Sequence, residues 1–366
     1  MLLRSEPTID SVSARAVTIP TDAPESDGTL EWTSTTVIIV EVQGGGRTGL
    51  GYSYGARAAA ALVDEMLAPA VRGHDAFDVP ATYDAMVARV RNAGRPGIAS
   101  TAISAVDLAL WDLKAKLLDR PLVSVLGAAR GSVSLYGSGG FTSYPIQRLK
   151  EQLGGWASQG LKRVKMKVGR KPERDPIRVR AAREAIGPGV ELFVDANGAY
   201  TRKQALRMSR TFADSDVRWF EEPVTSDDLE GLRLVRDRAP ETMDVAAGEY
   251  GYDPVYFRRM LAAGAVDVLQ VDATRCGGVT GFLRVAALCD AWNLPLSAHT
   301  APMAHLHVVC AAPRVIHLEW FHDHVRIESM LFDGFVQPRD GALGPDLSRP
   351  GLGIELKRSD VNALAA

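Results

Sequence analysis

From about Leu135 onward, short apolar runs recur with a regularity that few folds accept. The stretches "SLYGSGG", "RVKMKVG", "ELFVDANG", "VRWFEEP", "MDVAAGE", "DVLQVDAT", "LPLSAHT" and "IHLEW" follow one another at a spacing of roughly 20 to 30 residues, with helix-like segments between most of them. Alternating strand and helix builds a parallel sheet with helices on its faces. Eight such strands close into a barrel more readily than they spread as an open sheet, so the spacing predicts an α/β fold of the (β/α)8-type (TIM) barrel class. No internal repeat, low-complexity tract or obvious linker interrupts the pattern.

The first part of the chain has another texture. "SVSARAVTIP" and "STTVIIVEV" read as strands, and the polar "TDAPESDGTLEW" between them, residues 21–32, predicts a mobile loop and a candidate lid, with Trp32 over the mouth. "RAAAALVDEMLAPAV" and "TAISAVDLALWDLKAKLL" then read as helices, the second ending before Pro121. At 366 residues the chain exceeds what one core usually organises. The expected division is an α+β capping domain over residues 1–130, completed by about 325–366, and a (β/α)7β-type barrel over 131–324.

Charge excludes some partners. With 42 basic and 44 acidic residues, the net charge of -2 creates no field to draw nucleic acid or an anionic membrane, which leaves a small molecule as the expected partner. Cys276, Cys289 and Cys310 are odd in number and lack metal-ligand spacing, so they read as buried thiols in a reducing compartment. No signal-like segment or run approaching about 18 apolar residues is present, and a cytoplasmic location is expected.

In a barrel of this kind the C-terminal strand ends surround one mouth, which brings Lys167, Asp195, Glu221, Glu249, Asp272, His299 and Glu319 together. Asp195, Glu221 and Glu249 come from consecutive strands, and three buried carboxylates call for a divalent cation; an ion-pair network with the lysines is the plainer alternative. All-oxygen ligation suits Mg2+ or Mn2+ rather than zinc. Lys165 and Lys167 share one strand face beside that cation, where charge repulsion lowers the proton affinity of one enough for it to act as a base. Asp272 beside His299 on the next strand would fix the imidazole's tautomer and orientation. His305 and His307 read as half-buried helix residues with a structural role.

Taken together, "KMK", "VDANG", "FEEP", "AAGE", "VDATRCGGVTG", "SAHTAP", "HLEW" and the helix "AISAVDLALWDLKAK" resemble, in order and spacing, the mandelate racemase subgroup of the enolase superfamily over nearly the whole chain. The resemblance implies Asp195, Glu221 and Glu249 as Mg2+ ligands with Glu222 beside them, Lys167 as base, and Lys165 as the neighbour that helps neutralise the substrate carboxylate. It implies His299 and Asp272 as a dyad, where the cycloisomerase branch would carry a lysine in place of Asp272. Glu319 would hydrogen-bond the substrate carboxylate in protonated form, and Asn197 would lie at the substrate. Enolase-superfamily sites pair a Lys or His base with Mg2+.

The implied chemistry is removal of the proton α to a carboxylate, giving an enediolate. Most members with both the K-x-K motif and the dyad resemble acid-sugar dehydratases, so a sugar-acid dehydratase is the leading expectation. A racemase or epimerase of a 2-hydroxy acid, using Lys167 and His299 on opposite faces, is the alternative. A binding protein without turnover is the reading from another class. Tyr52, Ser53, Tyr54 and His322 are candidates for contact with a polyol, whereas Leu30, Trp32, Phe141 and Trp320 would suit an aromatic substrate. A homo-oligomer is implied by the family alone.

Overall fold

The computed structural model describes residues 7–359. An antiparallel sheet opens the chain: β1 (Ile9–Ser26), β2 (Glu31–Gly44) and β3 (Arg47–Tyr54), in that order. Short helices α1 (Ala58–Leu62) and α2 (Ala68–Val71) flank a π-helical turn, followed by α3 (Val79–Arg89), α4 (Ile98–Leu117) and α5 (Leu122–Leu126). Ala- and Leu-rich α4 lies directly on β3. A Cβ on Gly49 or Gly51 would stand 2.1 Å from the carbonyl oxygen of Ala109 or Ala105, so only glycine admits this approach. Val40, Val42, Leu67, Tyr83 and Leu110 form the core of this layer.

The barrel alternates β4 (Val133–Gly139), α6 (Ile146–Ser158), β5 (Arg163–Lys167), α7 (Asp175–Ile186), β6 (Glu191–Asp195), α8 (Arg202–Ala213), β7 (Val217–Glu221) and α9 (Leu229–Arg238). It continues through β8 (Asp244–Ala247), α10 (Pro254–Ala262), β9 (Val268–Val271), α11 (Gly278–Ala291), β10 (Leu296–Ala298), α12 (Pro302–Ala311) and β11 (Val315–Phe321). Neighbouring strands pair in parallel from β4 to β11, and β11 pairs with β4 to close the ring. Strand alternation sends Val164 and Met166 outward into the helix-covered core, and Lys165 and Lys167 inward. Tyr136, Phe193, Trp219, Ala246 and Val268 fill the barrel below the site.

After β11 come α13 (His322–Leu331), β12 (Phe332–Asp333), β13 (Ala342–Leu343) and β14 (Glu355–Leu356). β13 adds antiparallel to β4, while Leu352 N donates to Asp112 of α4 at 2.6 Å and Lys116 pairs with Glu355 at 2.7 Å. No helix among the described residues is long and apolar enough to cross a membrane. Residues 360–366, part of the tail expected to complete the capping domain, lie outside the described residues.

One expectation fails in form. Residues 21–32 are not a loop: β1 runs through Ser26, a tight turn follows, and β2 starts at Glu31, with a register shift between Pro20 and Glu25. Asp27 makes the turn by accepting from the backbone of Thr29 at 2.6 Å and Leu30 at 2.7 Å. The polar residues occupy strand positions because the hairpin lies across the barrel mouth. A Cβ on Gly28 would stand 2.4 Å from Ala196 O and 2.8 Å from Val168 O, the carbonyls just past Asp195 and Lys167.

Candidate active site

Register sets the site. Lys167 on β5 pairs with Asp195 on β6, and Asp195 with Glu221 on β7, so three ionisable groups stand side by side at one height. Glu249 follows β8 after Gly248, Asp272 follows β9, His299 follows β10, and Glu319 lies within β11 beside Tyr136. All eight of the proposed catalytic and metal residues are buried.

Backbone strain gathers at the same height. Asn197 (φ 46°), Glu222 (φ 36°), Thr300 (φ 51°) and Ala301 (φ 38°) adopt left-handed conformations within two residues of Asp195, Glu221 or His299. Such conformers cost of order 1–3 kcal/mol each and persist where surrounding structure imposes them. They turn the chain sharply at the strand ends and aim the preceding side chains into the mouth.

Asp195, Glu221 and Glu249 each place a carboxylate oxygen within 4.8 Å of the other two, a donor set that fits a hard divalent cation. Lys165 Nζ reaches Glu221 at 2.6 and 2.8 Å, Glu319 at 2.9 Å and Asp195 at 3.7 Å. Lys167 Nζ contacts Asp195 at 2.5 Å. His299 Nδ1 meets Asp272 at 2.8 Å, and its Nε2 faces Glu249 at 3.2 Å and Glu319 at 3.8 Å. The dyad and the carboxylate triad are thus one connected network.

Acids outnumber bases here. With all six of Asp195, Glu221, Glu222, Glu249, Asp272 and Glu319 ionised against Lys165, Lys167, Arg275 and a protonated His299, the network would carry two excess negative charges. Without a cation, burial and that excess leave Glu221 and Glu222 holding their protons more tightly than ordinary carboxyls. Burial and the neighbouring Asp195 push Glu221 up to about 8. Burial opposes charge on Lys165, but Glu221 and Glu319 together hold the amine well above an ordinary lysine; Asp195 does the same for Lys167. The expectation of a lysine with lowered proton affinity is therefore reversed in the protein alone, because each ammonium touches carboxylates more closely than it faces the other lysine. Glu319 is likewise ionised: burial would raise it, but Lys165 and His299 lower it to about 2. In the protein alone, that 2.9 Å contact with Lys165 favours the Glu319 carboxylate over the expected protonated form.

The three expected substrate contacts separate. Asn197 lies at the mouth: its backbone N–H donates to Asp195 at 2.9 Å, and its buried Oδ1 has no hydrogen-bond partner among the described residues. It lines a cavity of about 480 Å³ with Glu222, Tyr250, Tyr252 and Tyr256. Trp32 sits in the hairpin, donating to Glu25 at 3.0 Å and meeting Phe141 edge-on at 5.7 Å. Tyr54 stacks on His324 at 3.5 Å, and His324 Nδ1 accepts from the Ala301 N–H at 3.3 Å, so Tyr54 backs the loop after His299.

Other candidates serve elsewhere. Tyr52 is a core residue donating to Glu328 at 2.6 Å, Ser53 is fully buried, and His322, just past β11, pairs with Asp22 of the hairpin at 3.1 Å. Trp320 alternates outward onto Phe335, and Leu30 is exposed at the hairpin tip. His305 and His307 are fully buried rather than half-buried, because α12 packs between barrel and capping helices. Their ring nitrogens accept from Ala273 N at 2.7 Å and Val123 N at 3.0 Å.

Arg275 escaped the sequence reading. It bonds the Glu249 carbonyl at 3.1 Å, approaches the Glu249 carboxylate at 3.4 Å and Asp272 at 3.6 Å, and lies 5.3 Å from the Tyr250 ring centroid. Its position three residues after Asp272, in the turn that opens α11, is the signal that could have found it.

Comparison with known proteins agrees with this geometry. Residues 13–127 match the mandelate racemase / muconate lactonizing enzyme N-terminal domain, and residues 148–361 the enolase C-terminal domain-like family. The chain is 34% identical over 330 residues to 3,6-anhydro-alpha-L-galactonate cycloisomerase of Streptomyces coelicolor, covering 87% of this chain and 88% of that protein. It superposes with a TM-score of 0.96 and 56% identity on a mandelate racemase/muconate lactonizing enzyme-like protein from Rubrobacter xylanophilus, covering 98% of this chain and 100% of the other. L-Talarate dehydratase from Polaromonas sp. JS666, complexed with Mg and L-glucarate, superposes with a TM-score of 0.88 and 33% identity over 98% of each chain.

Proposed function

The chain belongs to the mandelate racemase/muconate lactonizing enzyme family of the enolase superfamily, and from that premise we propose that it dehydrates an acid sugar. The reaction removes the proton α to the carboxylate and then expels the β-hydroxyl as water. One observation carries the proposal: Lys167 Nζ and His299 Nε2 reach the same carboxylate triad through different members, Asp195 at 2.5 Å and Glu249 at 3.2 Å. An elimination requires a base for the α-proton and an acid for the β-hydroxyl of one bound substrate, and these two nitrogens stand on either side of the triad that would hold its carboxylate.

Asp195, Glu221 and Glu249 would hold Mg2+, which supplies positive charge to the substrate carboxylate as the α-proton leaves. Asp195 would hold Lys167 less tightly when shared with that cation, and the Lys167 amine would then take the proton at Nζ. Lys165 stays charged between Glu221 and Glu319 and faces the carboxylate of the enediolate. Asp272 fixes the imidazole through Nδ1, so His299 hands the proton on Nε2 to the departing β-hydroxyl. The C–O bond breaks with loss of water, and the enol rearranges to a 2-keto-3-deoxy acid. The hairpin across β5 and β6 limits water around the enediolate.

Proton NMR of the Mg2+-loaded protein in D2O, against a panel of acid sugars and simple 2-hydroxy acids, tests this. A new C3 methylene with keto-acid formation supports dehydration. The same two nitrogens also serve racemisation, and that reading gains if deuterium enters at the α-carbon without elimination. No change across the panel would overturn both for the substrates tried.

A further inference from the structure

A second charged cavity lies beside the hairpin, outside the carboxylate network. It has a volume of about 510 Å³ and is bounded by the hairpin, the β4–α6 connection and the β5–α7 connection. Such a volume suits a small ligand. Arg170, Lys171, Arg174 and Arg178 line it against two acids, Glu31 and Asp175. Glu173 lies in the same connection but does not line the cavity.

The two acids are already engaged. Glu31 pairs with Arg170 at 3.3 Å, and Asp175 accepts from Gly169 N at 2.9 Å and the Tyr200 hydroxyl at 2.6 Å. Lys171 and Arg174 make no side-chain hydrogen bond or ion pair among the described residues. Arg178, 8% exposed, donates to the carbonyls of Tyr144, Gly140 and Phe141, and its buried Nε has no partner among the described residues.

Helix polarity disfavours the basic side chains here, and Asp175, already bonded to Gly169 N and the Tyr200 hydroxyl, is the one acid in the first turn of α7 to offset them. α7 begins at Asp175 with Arg174 as its N-cap, so basic side chains crowd the end of the helix that carries partial positive charge. The N-terminus of α6, at Ile146, opens on the same space. Arg178 ties down the β4–α6 connection and Arg170 reaches the hairpin, which leaves Lys171 and Arg174 as the cations without such a partner among the described residues.

We propose that this cavity binds a phosphate-sized dianion, free or as the head of a small phosphate ester, between Lys171, Arg174 and Arg178. Half-exposed Ile146 and exposed Ile177 on the wall give an ester's carbon body a place to rest. Occupancy would tie the segment that begins just after Lys167 to the hairpin over the mouth, through Arg170 and Glu31. The inference is independent of the reaction the mouth performs.

Isothermal titration of the full chain with inorganic phosphate, in EDTA, reads the site directly. One-to-one saturable binding is expected, weakening about tenfold or more when K171M/R174M removes two charged donors. A separate variant, I177E, puts a carboxylate on the wall and should weaken phosphate by a similar factor. Both change exposed side chains, and unchanged Mg2+ affinity serves as the control for folding. Tighter binding of glycerol 3-phosphate than of phosphate would assign the ester, and equal binding the free ion. Absence of saturable phosphate binding, or equal affinity in wild type and both variants, would overturn the proposal.

Discussion

Replacing Lys165 by methionine tests the electrostatics of the mouth without an assay of turnover. The wild-type ammonium, fully buried, lies within 2.9 Å of both Glu221 and Glu319. Its removal strands two carboxylates in a water-poor interior, a change that costs about 3–5 kcal/mol when a buried pair loses one partner. With an unfolding entropy of about 2.1 cal/mol/K per residue over 366 residues, the melting midpoint should fall by about 4 to 6 °C in EDTA. Mg2+ at a hundred times its Kd stabilises the wild type by about 2.7 kcal/mol through linkage. The variant should gain more than that, because the cation replaces missing positive charge and no longer competes with Lys165 for Glu221. Thermal melts of both proteins in EDTA and in saturating Mg2+ give the four midpoints needed. A K165M midpoint equal to wild type in EDTA, or a deficit that Mg2+ leaves unchanged, would refute the picture of a carboxylate cluster in need of a cation.

Other perturbations have equally definite outcomes. Burial lowers His307 to about 4, so the folded state favours the neutral ring; the stability this residue contributes is complete above about 6.5 and is lost as pH falls toward 4, a change of about 3 kcal/mol. Urea unfolding at pH 7.5 and 4.5 should show a shallower acid loss in H307Q, and identical slopes would exclude His307 as a contributor. Gly51→Ala drives a methyl to 2.1 Å from Ala105 O and should destabilise the capping layer by about 3 kcal/mol or more, seen as a lower urea midpoint. Arg275→Met removes a cation that competes for the Glu249 carboxylate and, as with Lys165 and Glu221, should tighten Mg2+ binding by calorimetry, with Arg275→Lys closer to wild type. Equal Mg2+ affinity in Arg275→Met and wild type would reduce Arg275 to packing.

The barrel was legible because its strands are short, apolar and evenly spaced, and because β5, β6 and β7 end on Lys167, Asp195 and Glu221, which the register sets at one height. The hairpin was not, since Pro20, Pro24 and the polar run imitate a loop, and only contact with the Val168 and Ala196 carbonyls shows what holds the strands there. Arg275 and the full burial of His305 and His307 depend on how α11 and α12 pack, which periodicity does not report. Protonation in the protein alone was hidden for a related reason: spacing shows that two lysines share a face, not that Glu221 and Glu319 lie within 2.9 Å of Lys165 and outweigh the other lysine.

The most direct test of the central chemistry is exchange of a substrate's α-proton with solvent deuterium, followed by NMR on a substrate found in the panel, for wild type and K167A in saturating Mg2+ and for wild type in EDTA. Wild type with Mg2+ should exchange or eliminate the α-proton, EDTA should stop it, and K167A should bind Mg2+ normally yet leave that proton in place. Loss of the α-proton at the wild-type rate in K167A or in EDTA would contradict a mechanism built on Lys167 and a metal held by Asp195, Glu221 and Glu249.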